Sequence, residues 1–355
     1  MKIALFQYPD YAIPTHGYGP KQLLIELLAE GFMKAGHEVT TFATADTRLS
    51  GKIVKISPVG INEGLNDDSE IQPDVERIYR SIAIGELLRL SKDFDVIHNH
   101  AGFTILPIVQ ALKAPVFHTL HGTYTNKHYL TIFRKYAQSG YFVPISKAQA
   151  AVLPDVSMTR AVYHGIRVTD YKYQDKATSD TLLFLGRLSR VKGAHTAIKI
   201  AQASKHKLII AGPLDVARAG GKKYFEEEIK PHIDNKQIRY IGEVQGKKKR
   251  DLLANSKALL FPIEWVEAFG LVMIEALMSG TPVIAYDIGS PKEVISSGVT
   301  GYVCPRGNIK KMVEAVKSVA GIDRAQCRRE AIERFSADIM VKNYLEVFKE
   351  KIKNG

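Results

Sequence analysis

The stretch Glu267-Ala-Phe-Gly-Leu-Val-Met-Ile-Glu275, continued by Ala-Leu-Met-Ser-Gly-Thr-Pro, decides how this sequence is interpreted. Its apolar residues follow helical spacing, and the Gly-Thr-Pro at its end is typical of a helix stop. We therefore predict a helix that begins near residues 269–270, with Glu267 just ahead of it. A helix start offers free N–H groups and a partial positive charge, which suit a phosphate group.

The second glutamate of this stretch lies inside the predicted helix. At about 1.5 Å rise per residue, Glu275 is roughly 7–8 Å from the helix start. This distance matches the span from a diphosphate to ribose hydroxyls, which a carboxylate can accept as hydrogen bonds. An acidic residue before a helix can also simply favour the helix dipole, and one at mid-helix is often solvated. Glu275, however, stands in a run of apolar and small residues, where a solvated side chain is less expected.

Cations precede this motif at a predicted strand-to-helix turn. Thr181–Gly186 is an apolar run typical of a strand, Arg187 follows it, and Lys192-Gly193 leads into a predicted helix over residues 194–203. Two cations at such a turn can converge on a diphosphate. A solvated loop would explain the same charges, and nothing in the spacing commits Arg190 to a role.

The sequence resembles glycosyltransferase family 4, the retaining group 1 transferases with the GT-B fold. The resemblance is carried, in chain order, by Gly186-Arg187, Lys192-Gly193 and the pair Glu267 and Glu275 with Phe269-Gly270 between them. The resemblance covers nearly the whole chain and is strongest over residues 181–293. It implies an α/β protein of two Rossmann-like domains facing across a cleft. Residues 1–166 would form the acceptor-side domain and residues 167–337 the domain that binds the nucleotide-sugar donor. A terminal helix within residues 338–355 would cross back to the first domain.

The resemblance also implies roles for individual residues. Arg187, Lys192 and the helix start would stabilise the diphosphate, while Glu275 would hold the ribose. Glu267 and the backbone around Phe269 would hold the donor sugar, and the backbone near Val244 would meet the base. The implied catalytic set is His121, Arg187, Lys192 and Glu267, and the implied donor-binding set is Gly19, Val244, Phe269, Gly270, Leu271 and Glu275.

The loop after the first predicted strand, Lys2–Gln7, departs from the family pattern. It contains Gly17-Tyr18-Gly19, but Gln22 stands where a dinucleotide fingerprint requires its third glycine, so NAD is a poor candidate. Gly19 matches the first glycine of the family's phosphate-side pair, and Pro20 replaces the second. This replacement weakens the expectation of a phosphate contact from this loop. Pro20 does suit the first position of the helix predicted over residues 20–36.

Two patterns in the first half could suggest a metal ion. Asp93-Phe-Asp95 is a D-x-D pattern, but it directly precedes a buried strand that begins at Val96, and we interpret it as a turn. Four histidines crowd neighbouring strand ends: His98, His100, His118 and His121. We interpret most of them as core or rim residues hydrogen-bonded to the backbone. His121 is the exception, because it is similar to the family's sugar-contacting histidine at the end of this strand. We expect no metal and no other cofactor, since the nucleotide sugar is a substrate.

Composition and charge restrict the class of protein. A chain of 355 residues with 45% hydrophobic and 24% charged residues suits two soluble domains. Residues 1–166 carry 16 basic and 15 acidic residues, while residues 167–355 carry 33 and 22, so nearly all of the net charge of +12 lies in the second half. This distribution favours a phosphate-rich ligand in the second half. The run Lys247-Lys-Lys-Arg250 opens a predicted helix without interleaved aromatics, and we interpret it as a solvated face rather than a nucleic-acid patch.

Other features bear on location and local structure. Only two cysteines occur, which suits a reducing compartment. The first residues, Met1-Lys-Ile-Ala-Leu-Phe, predict a strand rather than a signal peptide, and no run reaches the roughly 18 apolar residues of a spanning helix. We expect a cytoplasmic protein with at most peripheral contact at the inner face of the membrane. The polar stretch Lys52–Asp74 predicts a loop, and Val75–Leu90 predicts a helix.

The sequence therefore predicts a retaining glycosyltransferase that uses a UDP- or GDP-sugar and an unidentified acceptor, either a sugar, a lipid-linked molecule or a small molecule. One alternative is a sugar-nucleotide epimerase or hydrolase of the same fold, which would give product without an acceptor. A nucleic-acid-binding protein is a further alternative, and steep salt dependence of oligonucleotide binding would reveal it.

Overall fold

The computed structural model describes residues 1–15, 19–62, 73–153, 155–215 and 220–353. The chain forms two compact units: unit 1 consists of Met1–Gly165 with Ala337–Gly355, and unit 2 consists of Ile166–Ser336. In the described ranges, no helix combines the length and the apolar character that a membrane crossing requires.

Unit 1 is built on a parallel sheet of six strands in the order β3-β2-β1-β4-β5-β6. The strands are β1 (Lys2–Phe6), β2 (Glu38–Ala43), β3 (Lys52–Lys55), β4 (Val96–Asn99), β5 (Val116–Thr119) and β6 (Tyr141–Val143). The central strands are buried, as expected for parallel strands that are covered on both faces.

The edge strand β3 contradicts the loop predicted for this part of the chain. Its side chains are half-buried or exposed, so it lacks the apolar run that marks the central strands. Its backbone nevertheless pairs in parallel with β2, from Thr40 opposite Lys52 to Ala43 opposite Lys55. Residues 63–72 of the predicted loop lie outside the described residues.

The helices of unit 1 before its last segment are α1 (Pro20–Lys34), α2 (Pro73–Leu90), α3 (Lys127–Lys135) and α4 (Lys147–Ala150). Helix α1 has its proline in the first turn, as predicted, and buries Leu24, Leu28 and Phe32. Helix α3 is amphipathic and short, and the sequence did not predict it.

Unit 2 repeats this architecture, with a parallel sheet in the order β12-β11-β10-β7-β8-β9. The strands are β7 (Thr181–Leu185), β8 (Lys207–Ala211), β9 (Ile238–Tyr240), β10 (Ala258–Phe261), β11 (Val283–Tyr286) and β12 (Gly301–Cys304). The helices are α5 (Ala194–Ser204), α6 (Gly221–Tyr224), α7 (Gly246–Asn255), α8 (Leu271–Met278), α9 (Pro291–Val294), α10 (Ile309–Ser318) and α11 (Arg324–Phe335). When strands are counted from the start of each unit, both sheets have the same order, that of doubly wound nucleotide-binding folds.

The terminal helix α12 (Ala337–Lys353) follows unit 2 in the chain but packs on unit 1. The ring of Phe348 lies 5.8 Å from that of Phe32 and 4.6 Å from that of Phe117, measured between centroids. The hydroxyl groups of Tyr344 and Thr119 are hydrogen-bonded at 2.9 Å. The returning helix and the two Rossmann-like units confirm the predicted α/β architecture.

Candidate functional site

The candidate site residues of unit 2 lie mostly at the carboxyl edge of its sheet. The strand order reverses between β7 and β10, and ligands of open α/β sheets bind outside the carboxyl ends of strands at such a point. Arg187 and Lys192 follow β7, Val244 follows β9, and Glu267 follows β10. The fold therefore gathers residues that are up to 80 positions apart in the sequence.

Lys192 and Glu267 form an ion pair at this edge. Lys192 Nζ donates to Glu267 Oε2 at 2.7 Å, and Trp265 Nε1 donates to the same oxygen at 3.2 Å. The ammonium group of Lys192 also lies 5.2 Å from the centre of the Trp265 ring. Both charged side chains are mostly buried, with 23% and 12% of their surfaces exposed. Trp265 is a site residue that the sequence reasoning missed, although it is the only tryptophan of the chain.

Two glycines shape the backbone around this pair. Gly193, next to Lys192, has φ of +79°, and an added Cβ would lie 2.1 Å from the carbonyl oxygen of Pro262. Gly270 has φ of +79° and caps α8, which begins at Leu271. Phe269 is buried just before it and packs edge-on against Phe335. Glycine is needed at both positions because an L side chain is strained at positive φ.

The side chains of Arg187 and Arg190 have different partners in the structure, although the two residues are close in sequence. Arg187 lies 3.6 Å from the buried carboxylate of Asp215, directly after β7. Arg190 forms an ion pair with Glu228 and lies over the ring of Tyr224, at 5.6 Å from its centre. Arg190 is thus held by α6 and the segment after it, and we assign it no part in the site.

Glu275 has partners that the sequence reasoning did not identify. Its Oε1 accepts hydrogen bonds from the Tyr171 hydroxyl at 2.9 Å and from Lys249 Nζ at 2.7 Å. Only 6% of the Glu275 side-chain surface is exposed. The prediction that residues 247–250 form a solvated face is therefore wrong for Lys249, because this lysine neutralises a buried carboxylate. Burial and the charge of Glu275 raise the pKa of Tyr171, so its hydroxyl remains a donor at neutral pH.

A histidine lies beside the Lys192 turn. His195 Nδ1 is 2.9 Å from the Tyr224 hydroxyl, and His195 Nε2 is 3.2 Å from Glu264 Oε1. Burial lowers the pKa of His195, while the charge of Glu264 opposes this effect. The contact connects the start of α5 to the segment that leads into Glu267.

In unit 1, the carboxyl edge of the sheet carries neutral histidines. His121 Nε2 lies 2.9 Å from His100 Nδ1, and the His121 ring stacks on His164 at 5.5 Å between centroids. Burial lowers the pKa of His121 well below its usual value, and it lowers the pKa of His164 to about 3. These rings therefore carry no charge at neutral pH.

The expectation that the other histidines bond to the backbone is correct for His118, which lies 2.7 Å from the carbonyl oxygen of Ser139. It is wrong for His98, which bonds to Thr119 Oγ1 at 2.7 Å, and for His100, which bonds to His121. In both cases the partner is a polar side chain at the end of β5 or just after it. Asp95 accepts a hydrogen bond from the backbone N–H of Lys2 at 2.7 Å, as suits a turn before β4. Within the described ranges, no group of three or more His, Cys, Asp or Glu side chains is arranged to hold a metal ion.

The loop after β1 is described only in part. Gly19 caps α1, and its carbonyl oxygen accepts from the Leu23 N–H at 3.1 Å. Residues 16–18, including Gly17-Tyr18 of the glycine-containing motif, lie outside the described residues. Near this loop, four buried polar atoms have no hydrogen-bond partner among the residues that the structure describes: both amide atoms of Gln7, Gln22 Nε2 and His100 Nε2. These polar atoms were not singled out by the sequence reasoning.

Two protein-family models match the chain. Residues 23–168 match Glycosyltransferase Family 4, and residues 169–334 match Glycosyl transferases group 1. An uncharacterized 41.2 kDa protein in the cps region of Klebsiella pneumoniae is 32% identical over 47% of this chain, and the match covers 46% of that protein. A phosphatidyl-myo-inositol mannosyltransferase of Mycobacterium leprae is 20% identical, and its match covers 100% of this chain and 98% of the relative.

Solved glycosyltransferase structures share the fold. AviGT4, a glycosyltransferase involved in avilamycin A biosynthesis, has a TM-score of 0.75 at 24% identity, covering 100% of this chain and 98% of that one. Anabaena HepE in complex with UDP and glucose has a TM-score of 0.73 at 16% identity, covering 99% of this chain and 100% of that one. At these identities the likeness establishes the fold, which is GT-B.

Proposed function

Because this chain belongs to the group 1, family 4 glycosyltransferases, we propose that it transfers a sugar from a nucleoside diphosphate to an acceptor hydroxyl with retention of anomeric configuration. UDP or GDP is the proposed carrier, and UDP is present in the HepE complex. The acceptor is a sugar, a lipid-linked molecule or a small molecule.

The observation that carries this proposal is the Lys192–Glu267 pair beside the start of α8. Lys192 supplies positive charge, and the start of α8 presents the backbone N–H groups of Gly270 and Leu271, which have no acceptor within the helix itself. Together with Arg187, these groups stabilise the diphosphate as negative charge develops during its departure. Glu267 accepts hydrogen bonds from the donor sugar, and Glu275 accepts them from the ribose. The backbone near Val244 contacts the base.

The reaction exchanges one bond at the anomeric carbon. The bond to the leaving phosphate oxygen breaks, the bond to the acceptor oxygen forms on the same face, and the acceptor's proton goes to the leaving phosphate. We assign no covalent nucleophile to the protein. The positive charge comes from side chains, so excess EDTA leaves transfer unchanged.

Unit 1 provides the acceptor side in this proposal. Its His121 contacts the sugar of the donor. Its neutral histidines and the amide atoms of Gln7 and Gln22 suit hydroxyl groups better than phosphate, because they offer hydrogen bonds without net charge. The buried, unbridged thiols of Cys304 and Cys327 support a reducing, cytoplasmic location. Contact with a membrane is at most peripheral.

Titration calorimetry with UDP, GDP, ADP and NAD tests the donor site. We expect one nucleoside diphosphate to bind, and Glu275→Ala to weaken its binding about 10- to 100-fold, as for loss of a charged hydrogen-bond acceptor. Absence of binding to all four in a folded protein would overturn the donor assignment. With the matching nucleotide sugars, proton NMR of the product reports the anomeric configuration. An inverted product would overturn retention, and release of free sugar without acceptor would instead support a hydrolase.

A further inference from the structure

The carboxylate of Glu275 is held through one of its two oxygens. Tyr171 and Lys249 both donate to Oε1. Across the described residues, no hydrogen bond reaches Oε2. An ionised carboxylate can accept about four hydrogen bonds, so this nearly buried group retains acceptor capacity on Oε2.

The two donors come from separate segments of unit 2. Tyr171 follows a short 3₁₀ turn at Val168–Asp170, and its carbonyl oxygen accepts from Arg328 of α11 at 3.2 Å. The tyrosine is therefore fixed both through its backbone and through its hydroxyl. Lys249 lies in the first turn of α7, five positions after Val244. The helix that follows the proposed base contact thus also reaches Glu275.

This arrangement is not explained by stability alone. Burial of a carboxylate costs several kcal/mol, and a buried ion pair often stabilises a fold no more than apolar residues of the same volume. The hydroxyl of Tyr171 and the ammonium of Lys249 both donate to the same oxygen, and they restrict the rotation of the carboxylate. A carboxylate that is fixed through one oxygen can accept hydrogen bonds from a ligand through the other.

We propose that Tyr171 and Lys249 are positioning residues that hold Oε1 of Glu275 and direct Oε2 to the ribose hydroxyls of the donor. This inference rests on the proposed function, in which Glu275 binds the ribose. It adds that discrimination between ribose and deoxyribose depends on two residues that do not themselves bind the sugar ring.

The test compares ribonucleotides with their deoxy forms. Titration calorimetry gives the Kd of UDP, GDP and ADP and of the corresponding 2′-deoxy and 3′-deoxy diphosphates. For the diphosphate that binds, we expect wild type to prefer the ribose form by about tenfold, as for one hydrogen bond to a charged group. Tyr171→Phe and Lys249→Met should reduce this preference to about threefold or less, with little change in the Kd of the deoxy forms.

Matched controls lie beside each residue. Lys248→Met removes an exposed lysine of the same run, and Tyr173→Phe removes the hydroxyl of a partly exposed tyrosine two positions from Tyr171. Both should keep the wild-type preference. Lys249→Gln replaces Lys249→Met if circular dichroism shows that the latter does not fold.

Glu275→Gln separates the inference from the proposed function. If this variant keeps the tenfold preference, Glu275 does not bind the ribose and the proposed assignment is wrong. If it abolishes the preference while Tyr171→Phe and Lys249→Met retain it, only the positioning inference is wrong. Equal weakening of ribose and deoxy forms in the latter two variants would indicate a purely structural role and would also overturn the inference. Failure of wild type to bind any diphosphate would overturn both.

Discussion

Units 1 and 2 carry parallel sheets of the same strand order, but their carboxyl edges differ in chemistry. The edge of unit 1 carries His100 and His121, which burial keeps uncharged. The edge of unit 2 carries Arg187, Lys192 and Glu267, which are ionic. Strand order therefore fixes where side chains gather, whereas the residues after each strand decide whether the edge suits hydroxyl groups or phosphate.

The largest expected effect concerns close backbone contact at the edge of unit 2. Gly193→Ala places a Cβ 2.1 Å from the Pro262 carbonyl oxygen at a positive φ, so we expect unit 2 to lose about 4 kcal/mol of unfolding free energy. Urea unfolding followed by Trp265 fluorescence measures this loss, because the single tryptophan lies in unit 2. Gly298→Ala, also in unit 2, is the control: φ is +84° there as well, but no atom of the described residues lies within 4 Å of an added Cβ, so we expect a loss of about 1 kcal/mol. Equal losses would show that the contact with Pro262 is unimportant.

Acid should affect unit 1 through its buried histidines. Burial lowers the pKa of His118 to about 4, from 6.5 in the unfolded chain. The unfolded state therefore binds more protons below pH 6.5, and stability is complete above that pH and is lost as the pH falls toward 4. The loss from His118 alone is about 3 kcal/mol at pH 4. Scanning calorimetry at pH 7 and pH 4 should show a smaller fall for His118→Gln than for wild type, and an identical fall would contradict the assignment.

The smallest of the three effects concerns charge at the edge of unit 2. Lys192→Ala should lower turnover about 100-fold, equivalent to about 2.7 kcal/mol, as for loss of one group that stabilises developing negative charge. Arg190→Ala is the matched control, since Arg190 is two positions away but pairs with Glu228. Steady-state rates with the identified donor should change less than about threefold in this control. Near-normal turnover in Lys192→Ala would show that the charge of this lysine does not stabilise the leaving diphosphate, and it would contradict the proposed functional difference between the two sheet edges.

Much of the fold could be predicted because most strands are short apolar runs and most turns carry glycine or proline. The sequence also predicts the start of α8, whereas the return of α12 to unit 1 was predicted from the resemblance to GT-B proteins. The edge strand β3 was missed because its half-exposed side chains leave no periodic signal. Helix α11 was missed for a related reason, because it is strongly polar and shows no clear apolar face. Its Arg324 is buried and donates hydrogen bonds to the carbonyl oxygens of Ala254 and Ser256, which lie in a distant segment of the sequence.

The sequence predicts which residues belong to the candidate site, but it does not predict which side chains they form hydrogen bonds with. The contact between Tyr171 and Glu275 spans 104 positions, and no local pattern marks either residue as the partner of the other. Lys249 belongs to a run of four basic residues, and such a run predicts a solvated face. The prediction is correct for Lys247 and Lys248, which are exposed, but not for Lys249. The packing of α7 against α8 brings Lys249 to Glu275, and this contact is not visible in the sequence.

The return of α12 to unit 1 also bears on how the protein is made. Unit 2 is continuous in the chain, whereas unit 1 is completed only when residues 337–353 leave the ribosome. At about 5–20 residues per second, that segment follows the rest of unit 1 by roughly 10–30 s. During this interval Phe32, Phe117 and the Thr119 hydroxyl lack their partners on α12. The half that is synthesised first therefore finishes folding last.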